Sequence, residues 1–175
     1  MQRPMNRADA LRVLEQVTDP EIPVLTIADL GILRDVSVDE AGIVHVDITP
    51  TYSGCPAMDE IRTDVRAALQ LAGAVSVEVR LVLHPAWTTD WLSPDGRRKL
   101  LAYGIAPPGP RPAGGPVAVE LGYRPDLAGD GTDAPACPRC GSAATEELAR
   151  FASTACKSLW RCTDCREPFD HLKEF

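Results

Sequence analysis

The chain has no excess of positive charge. Lys and Arg number 18 against 25 Asp and Glu, a formal charge of −7. That balance argues against general nucleic-acid binding, which rests on neutralising phosphates. Aromatic residues are scarce, 5% of a chain that is 45% hydrophobic, so the core must be built from Val, Leu, Ile and Ala. No apolar run approaches the roughly 20 residues that a membrane-spanning helix needs, so no membrane partner is expected. The first residues lead directly into an amphipathic pattern rather than an apolar signal segment, and a cytoplasmic location is expected. Motifs of catalysis are missing as well. There is no phosphate-cradling Gly-x-x-x-x-Gly-Lys-Ser/Thr loop, no Gly-x-Gly-x-x-Gly, no His-Glu-x-x-His and no Gly-x-Ser-x-Gly. Nothing suggests an enzyme's acid–base apparatus.

What is present divides into three segments. Residues 1–106 carry the periodic patterns. In residues 107–116 eight of ten positions are Pro or Gly, which opens a semi-extended linker reaching residue 136. Residues 137–175 form a short tail. The tail carries 6 Lys+Arg and 6 Asp+Glu, so it is not basic either.

In the first segment, Ala10, Leu11, Leu14 and Val17 fall at helical spacing, with Asn6 placed to cap the helix. A short strand is expected near Ile32 to Val38. Val44, Val46 and Ile48 alternate with polar residues as a half-buried strand. Met58, Ile61, Val65, Ala68, Leu69 and Ala72 form a second helical stripe that Gly73 ends. Val77, Val79, Leu81 and Leu83 alternate again, and a third helix starts at Ser93-Pro94 and finishes before Gly104. The fold class expected is therefore α+β or α/β, a small mixed sheet packed with helices, followed by a four-cysteine ribbon.

Six cysteines in a reducing compartment should not be read as three disulfides. Cys55 lies in Thr49-Pro50-Thr51-Tyr52-Ser53-Gly54-Cys55-Pro56, between a strand and a helix. Pro56 suits the first helical position, which puts Cys55 near the N-cap. There, the helix dipole and free N–H groups favour a thiolate able to bind metal or attack an electrophile. The alternative is a buried thiol acting as a small hydrophobe.

Cys137-Pro-Arg-Cys140 and Cys162-Thr-Asp-Cys165 are separated by 21 residues. Two Cys-x-x-Cys turns can supply the four thiolates of a tetrahedral zinc ion, with strands from Thr145 to Phe151 and Ser158 to Arg161 joining them. A tail of 39 residues cannot build an adequate core alone, so the metal would supply folding free energy. Iron in the same four-thiolate geometry is the competing reading. Cys156 is left over, either as a packed thiol or as a second reactive one. His45, His84 and His171 share no ligand spacing, and Trp87, Trp91 and Trp160 read as packing residues.

Asp19-Pro20-Glu21-Ile22-Pro23, Asp29-Leu30-Gly31-Ile32 and Thr51-Tyr52-Ser53-Gly54-Cys55-Pro56 resemble the iron–sulfur assembly domain of SufT-like proteins. Further matches are Trp87-Thr88-Thr89-Asp90-Trp91, Gly104-Ile105-Ala106-Pro107-Pro108 and, in the tail, Cys137-Pro138-Arg139-Cys140-Gly141-Ser142, Ser153-Thr154-Ala155-Cys156-Lys157 and Glu167-Pro168-Phe169-Asp170. These narrow the resemblance to the PaaD family of phenylacetyl-CoA epoxidase systems. Ala152 departs from it, where the family has Gly. The resemblance implies a non-enzymatic accessory protein that matures the epoxidase. Its partners would be the epoxidase components, the di-iron oxygenase or the iron–sulfur reductase. It implies that Cys55 is the reactive thiol, contacting iron or a transient iron–sulfur cluster, and that Cys137, Cys140, Cys162 and Cys165 are zinc ligands. Alternatives from other classes are a structural or electron-relay subunit of the epoxidase, a zinc-ribbon nucleic-acid binder and a cysteine-dependent enzyme. The acidic balance speaks against the nucleic-acid binder, and no positioned base is visible for the enzyme. A homodimer fits the accessory reading, since one thiol is a poor cluster cage and two copies could share one.

Overall fold

The computed structural model describes residues 5–52, 54–109 and 134–174. The chain divides into two compact units, with the boundary between Tyr103 and Gly104. Most of the linker expected over 107–136 lies outside the described residues.

The first unit is a three-stranded mixed sheet with helices on one face. Helix α1 (Arg7–Leu14) opens with a capping box. The Asn6 side chain accepts from the Asp9 N–H at 2.9 Å while Asp9 turns back to the Asn6 N–H. Strand β1 (Leu33–Val38) pairs antiparallel with β2 (Ile43–Ile48), and β2 pairs parallel with β3 (Ser76–Leu81). The parallel pair needs a crossover, which α2 (Ala57–Leu71) provides. Helix α2 buries Met58, Ile61, Val65 and Leu69, and it ends at Gly73, whose φ of 99° suits only glycine at low cost. Val36, Val44, Val46, Ile48 and Val79 point from the sheet into the same aliphatic core. The sheet's other face carries Asp35, His45, Asp47, Glu78 and Arg80. Helix α3 (Pro94–Tyr103) follows a single 3-10 turn at Thr89–Trp91. The fold class is thus the mixed sheet with helices expected from the patterning.

A network centred on Asp29 fastens α3 to the loop before β1. Its carboxylate accepts from the Thr26 N–H and hydroxyl at 3.0 Å each, from the Ser93 hydroxyl at 3.1 Å and from Lys99 Nζ at 2.6 Å. Burial opposes ionisation, but Lys99, Thr26 and Ser93 together hold the carboxyl below its ordinary value. Alongside, the Trp87 indole N–H donates to the Leu30 carbonyl at 2.7 Å. Gly31 has φ 70°, and an added Cβ would lie 2.6 Å from Trp91 Cβ. The Asp29-Leu30-Gly31 and Trp87–Trp91 motifs are therefore two halves of one joint.

The second unit is a four-stranded sheet in the order β4-β7-β6-β5. Strands β5 (Thr145–Ala149) and β6 (Lys157–Cys162) form the hairpin that the sequence suggests. Two further strands join it. Strand β7 (Pro168–Leu172) pairs antiparallel with β6, and the two-residue β4 (Ile105–Ala106) pairs parallel with β7. Ile105 and Ala106 thus belong to the tail's sheet.

Replacing Asp29 by Ala should lower unfolding stability by about 1–3 kcal/mol, because several donors lose a buried acceptor together. Since the folded carboxyl titrates below its ordinary value of 3.8, its contribution is present at neutral pH. It disappears as pH falls through the folded value. Urea unfolding of wild type and Asp29→Asn should show a gap at pH 7 that narrows as the solution is taken below that point. A gap independent of pH would rule out the carboxylate as its source.

Candidate functional site

The tail brings Cys137, Cys140, Cys162 and Cys165 together, with all four sulfurs within 4.8 Å of one another. Cys137 Sγ lies 3.7 Å from Cys165 Sγ, and Cys140 Sγ lies 3.6 Å from Cys162 Sγ. Sulfurs each 2.3 Å from a tetrahedral ion stand about 3.8 Å apart, so the cage has the size of a four-thiolate metal site. Two similar turns build it. In the first, the Gly141 N–H donates to the Cys137 carbonyl at 2.9 Å, and Gly141 takes φ 74°. In the second, the Cys165 N–H points at Cys162 Sγ at 3.5 Å, and Arg166 takes the corresponding left-handed φ of 63°. The two turns are tied to each other by Arg139–Glu167 at 2.7 Å and by the Ser142 hydroxyl on Asp164. Phe169, Ala106 and Trp160 pack behind the sulfurs.

Four sulfurs this close cannot all be thiolates without a cation among them. The N–H groups of Cys165 and Asp164 bring Cys162 down to about 7. For Cys140 the Ser142 N–H works downward, yet the sulfurs of Cys162, Cys165 and Cys137 push it up to about 12. A divalent ion would remove that conflict and hold all four ionised. The donor set and its spacing fit such an ion.

The first unit holds Cys55. It sits in the loop from β2 to α2, where the Cys55 N–H donates to the Tyr52 carbonyl at 3.3 Å and its own carbonyl accepts from Met58 at 3.4 Å. The helix begins at Ala57, with Pro56 as N-cap, one residue later than the spacing suggested. Cys55 is half-buried rather than exposed. Its thiol is raised above the ordinary value, chiefly by burial, then by the charges of Glu21 and Asp19. The Ala57 N–H and the Tyr52 side chain pull the other way and lose. The sequence-based expectation of enhanced thiolate character therefore fails. The helix start does donate to the sulfur, but desolvation and two carboxylates outweigh it.

Those carboxylates are what the reading of the residues missed. Asp19 Oδ1 accepts from the N–H groups of Glu21 and Ile22 at 2.8 Å each, which curls Asp19-Pro20-Glu21 into a tight turn. This turn places both acids within electrostatic reach of Cys55. Two acids flanking a proline, far from Cys55 in sequence, were the only available signal.

Cys156 is buried, with its sulfur 3.1 Å from the Thr154 hydroxyl. That burial fits the packed-thiol reading of Cys156. His45 lies between Asp39 and Glu78, at 3.1 Å from each. His171 is buried in the ribbon near Ser158, and burial pushes it down to about 4. Trp87 and Trp160 serve as packing residues, and Arg34 lies 3.5 Å from the centroid of the Trp91 ring. Among the described residues no helix is long and apolar enough to cross a membrane.

Comparison with known proteins gives two separate family matches along the chain. Residues 7–80 match the family described as "Iron-sulfur cluster assembly protein", and residues 124–173 match the "PaaD zinc beta ribbon domain". An Escherichia coli (strain K12) protein, provisionally named as one of the subunits of 1,2-phenylacetyl-CoA epoxidase, is 47% identical over 92% of this chain and 88% of its own. The Bacillus subtilis (strain 168) Fe-S protein maturation auxiliary factor YitW is 39% identical over 57% of this chain and 94% of its own. A crystal structure of a domain of unknown function from Bacillus anthracis is 30% identical, with a TM-score of 0.50. It covers 54% of this chain and 90% of that one.

Alkylation of Cys55 should accelerate with pH along a curve displaced upward from that of a free cysteine. Glu21→Gln should move the midpoint down, because a charge opposing the thiolate has gone. Mass-spectrometric peptide mapping across a pH series would check this. A curve displaced downward, or one indifferent to Glu21, would contradict the assignment.

Proposed function

This chain belongs to the PaaD family of phenylacetyl-CoA epoxidase systems, and from that premise we propose that it is a non-catalytic maturation factor for the epoxidase. It loads iron or an iron–sulfur cluster into an oxygenase or reductase component. Its assembly domain is of the same kind as those of the Fe-S maturation auxiliary factors. The observation that carries the proposal is Cys55 with Asp19 and Glu21 beside it. A lone raised thiol is a weak nucleophile and a poor anion, whereas a cation is attracted by the carboxylates and displaces the thiol proton. In that step Cys55–SH and a ferrous ion give a sulfur–iron bond and one released proton. The carboxylates that disfavour a free thiolate favour the metal-bound one. Iron held by so few protein ligands can pass to a client with a fuller set, which suits delivery rather than storage.

The tail's four thiolates would hold zinc as a structural ion. Zinc takes tetrahedral sulfur sites without redox chemistry. The ribbon's role would be to dock the client, in the cytoplasm where epoxidase components are made.

The second reading, a structural or electron-relaying subunit, is favoured by the E. coli relative's name as one of the epoxidase subunits. The two readings separate in one experiment. Cys55→Ala should leave the fold and about one zinc per chain intact, while the epoxidase components produced beside it carry less iron and growth on phenylacetate slows. Epoxidase loaded with the wild-type protein present, then separated from it, should still turn over. Full iron loading with Cys55→Ala would overturn the mechanism. Activity lost on separating the protein would instead make it a working subunit.

Zinc itself is tested by metal content. Cys140→Ser or Cys165→Ser should release the ion and unfold the ribbon, while far-ultraviolet circular dichroism retains the helical signal of the first unit. A folded tail without metal would refute the structural role.

A further inference from the structure

Strand β3 is the outer strand of the first unit's sheet, whose order is β1-β2-β3. Among the described residues nothing pairs with its far side. Sheet edges are normally blunted by Pro, Lys, bulges or short length. From Val75 to Leu83 this edge has no Pro and no Lys, and the six residues of β3 pair with β2 in unbroken register. Large apolar side chains lie open along it. Val75 is 95% exposed, Leu83 65% and Leu81 45%.

The direction of the free hydrogen-bonding groups follows from the parallel pairing. The Val82 N–H donates to the Ile48 carbonyl at 2.8 Å, so even-numbered residues face β2. The N–H and C=O groups of Val77, Val79 and Leu81 therefore point outward. Their side chains share the core side with Val46 and Ile48, while Glu78 and Arg80 share the polar face with His45 and Asp47.

We propose that two copies of this chain pair antiparallel through β3, with a two-fold axis at Val79, to make a continuous six-stranded sheet. The sequence Val75-Ser76-Val77-Glu78-Val79-Arg80-Leu81-Val82-Leu83 is self-complementary about that residue. Val79 meets Val79, Val77 meets Leu81, and Val75 meets Leu83, so each apolar residue of the core face is answered by another. On the polar face Glu78 meets Arg80 of the second copy, twice by symmetry. Arg80 is held over the sheet by Asp47 at 2.8 and 3.1 Å and Glu78 by His45 at 3.1 Å, and both side chains stay exposed on the polar face, open to a second copy. An axis at Val77 opposes Glu78 to Ser76, and an axis at Leu81 opposes Glu78 to His84 and Arg80 to Val82, so only the register at Val79 sets Glu78 against Arg80. The outward groups of Val77, Val79 and Leu81 then find partners that water otherwise supplies.

This pairing has a consequence for Cys55. The loop carrying Cys55 follows the C-terminal end of β2, which lies beside the C-terminal end of β3. A two-fold axis across β3 puts the two loops at opposite ends of the joined sheet. Each copy then keeps its own site, and the copies do not share a single cluster through this interface.

The test is the sedimentation of the full chain, zinc-loaded and reduced, over a concentration series. Wild type should be a dimer at tens of micromolar. Glu78→Arg sets Arg against Arg across both symmetric positions and should raise the dissociation constant roughly tenfold or more. The double exchange Glu78→Arg with Arg80→Glu should recover most of that loss. Leu81→Pro removes an outward N–H but no bond to β2, and it should abolish the dimer while zinc content and circular dichroism stay as in wild type. A wild-type protein that is monomeric throughout overturns the proposal. So does a dimer indifferent to Glu78→Arg, or one in which the double exchange restores nothing.

Discussion

Anionic groups packed side by side are tolerable only if a proton or a cation lies between them, and both cysteine sites of this protein are built on that constraint. In the tail, four sulfurs within 4.8 Å of one another leave Cys140 pushed up to about 12 while Cys162 sits near 7. In the first unit, burial raises the Cys55 thiol first, and the charges of Glu21 and Asp19 add to it. The two sites differ in how many ligands the chain commits. Four thiolates close the coordination of a tetrahedral ion and leave no open position, which suits a resident structural metal. One half-buried thiol with two acids within electrostatic reach would leave coordination open, which on the proposed reading suits an ion in passage.

The secondary structure was legible wherever burial is periodic along the sequence. Leu14, Val44, Val46, Ile48, Met58, Ile61, Val65 and Leu69 all appear in the pattern and all lie in the core. The four-sulfur site was legible because Cys-x-x-Cys spacing is itself a turn geometry, realised at Gly141 and again at Arg166. What could not be read was contact between distant segments. The pairing of Ile105–Ala106 with β7 joins residues more than sixty positions apart, and nothing in a two-residue strand announces its partner. The Asp29 network likewise joins Thr26, Ser93 and Lys99 across the unit. Asp29 stood in a resembling motif and Ser93 at a helix start, but the reason for both, a carboxylate fastening a helix to a loop, appears only in three dimensions.

Cys55 shows the same limit in its electrostatics. A cysteine ahead of a helix reads locally as an activated thiolate, since free N–H groups and the dipole are the only features adjacent in sequence. The Ala57 N–H does act in that direction. The opposing contributions come from burial and from Asp19 and Glu21, more than thirty positions away, and they prevail. Sequence proximity gave the smaller of the two effects.

The resting state that results has a chemical logic. A thiol held protonated reacts slowly with peroxide and with disulfides, because the thiolate is the reactive form. A raised, half-buried Cys55 is therefore a slower target for oxidation than a free thiolate. A cation reverses the balance. On the proposed reading, the carboxylates that add to burial in keeping the proton on sulfur would stabilise a metal that replaces it, and the cost of desolvating a lone anion would fall. Lowering the thiol with a basic neighbour would instead give a better nucleophile, and on the proposed reading a worse carrier, since the cationic neighbour would compete with a metal ion for the sulfur. Burial and the two acids would thus suit the proposed role, a sulfur silent when empty and ionised when loaded.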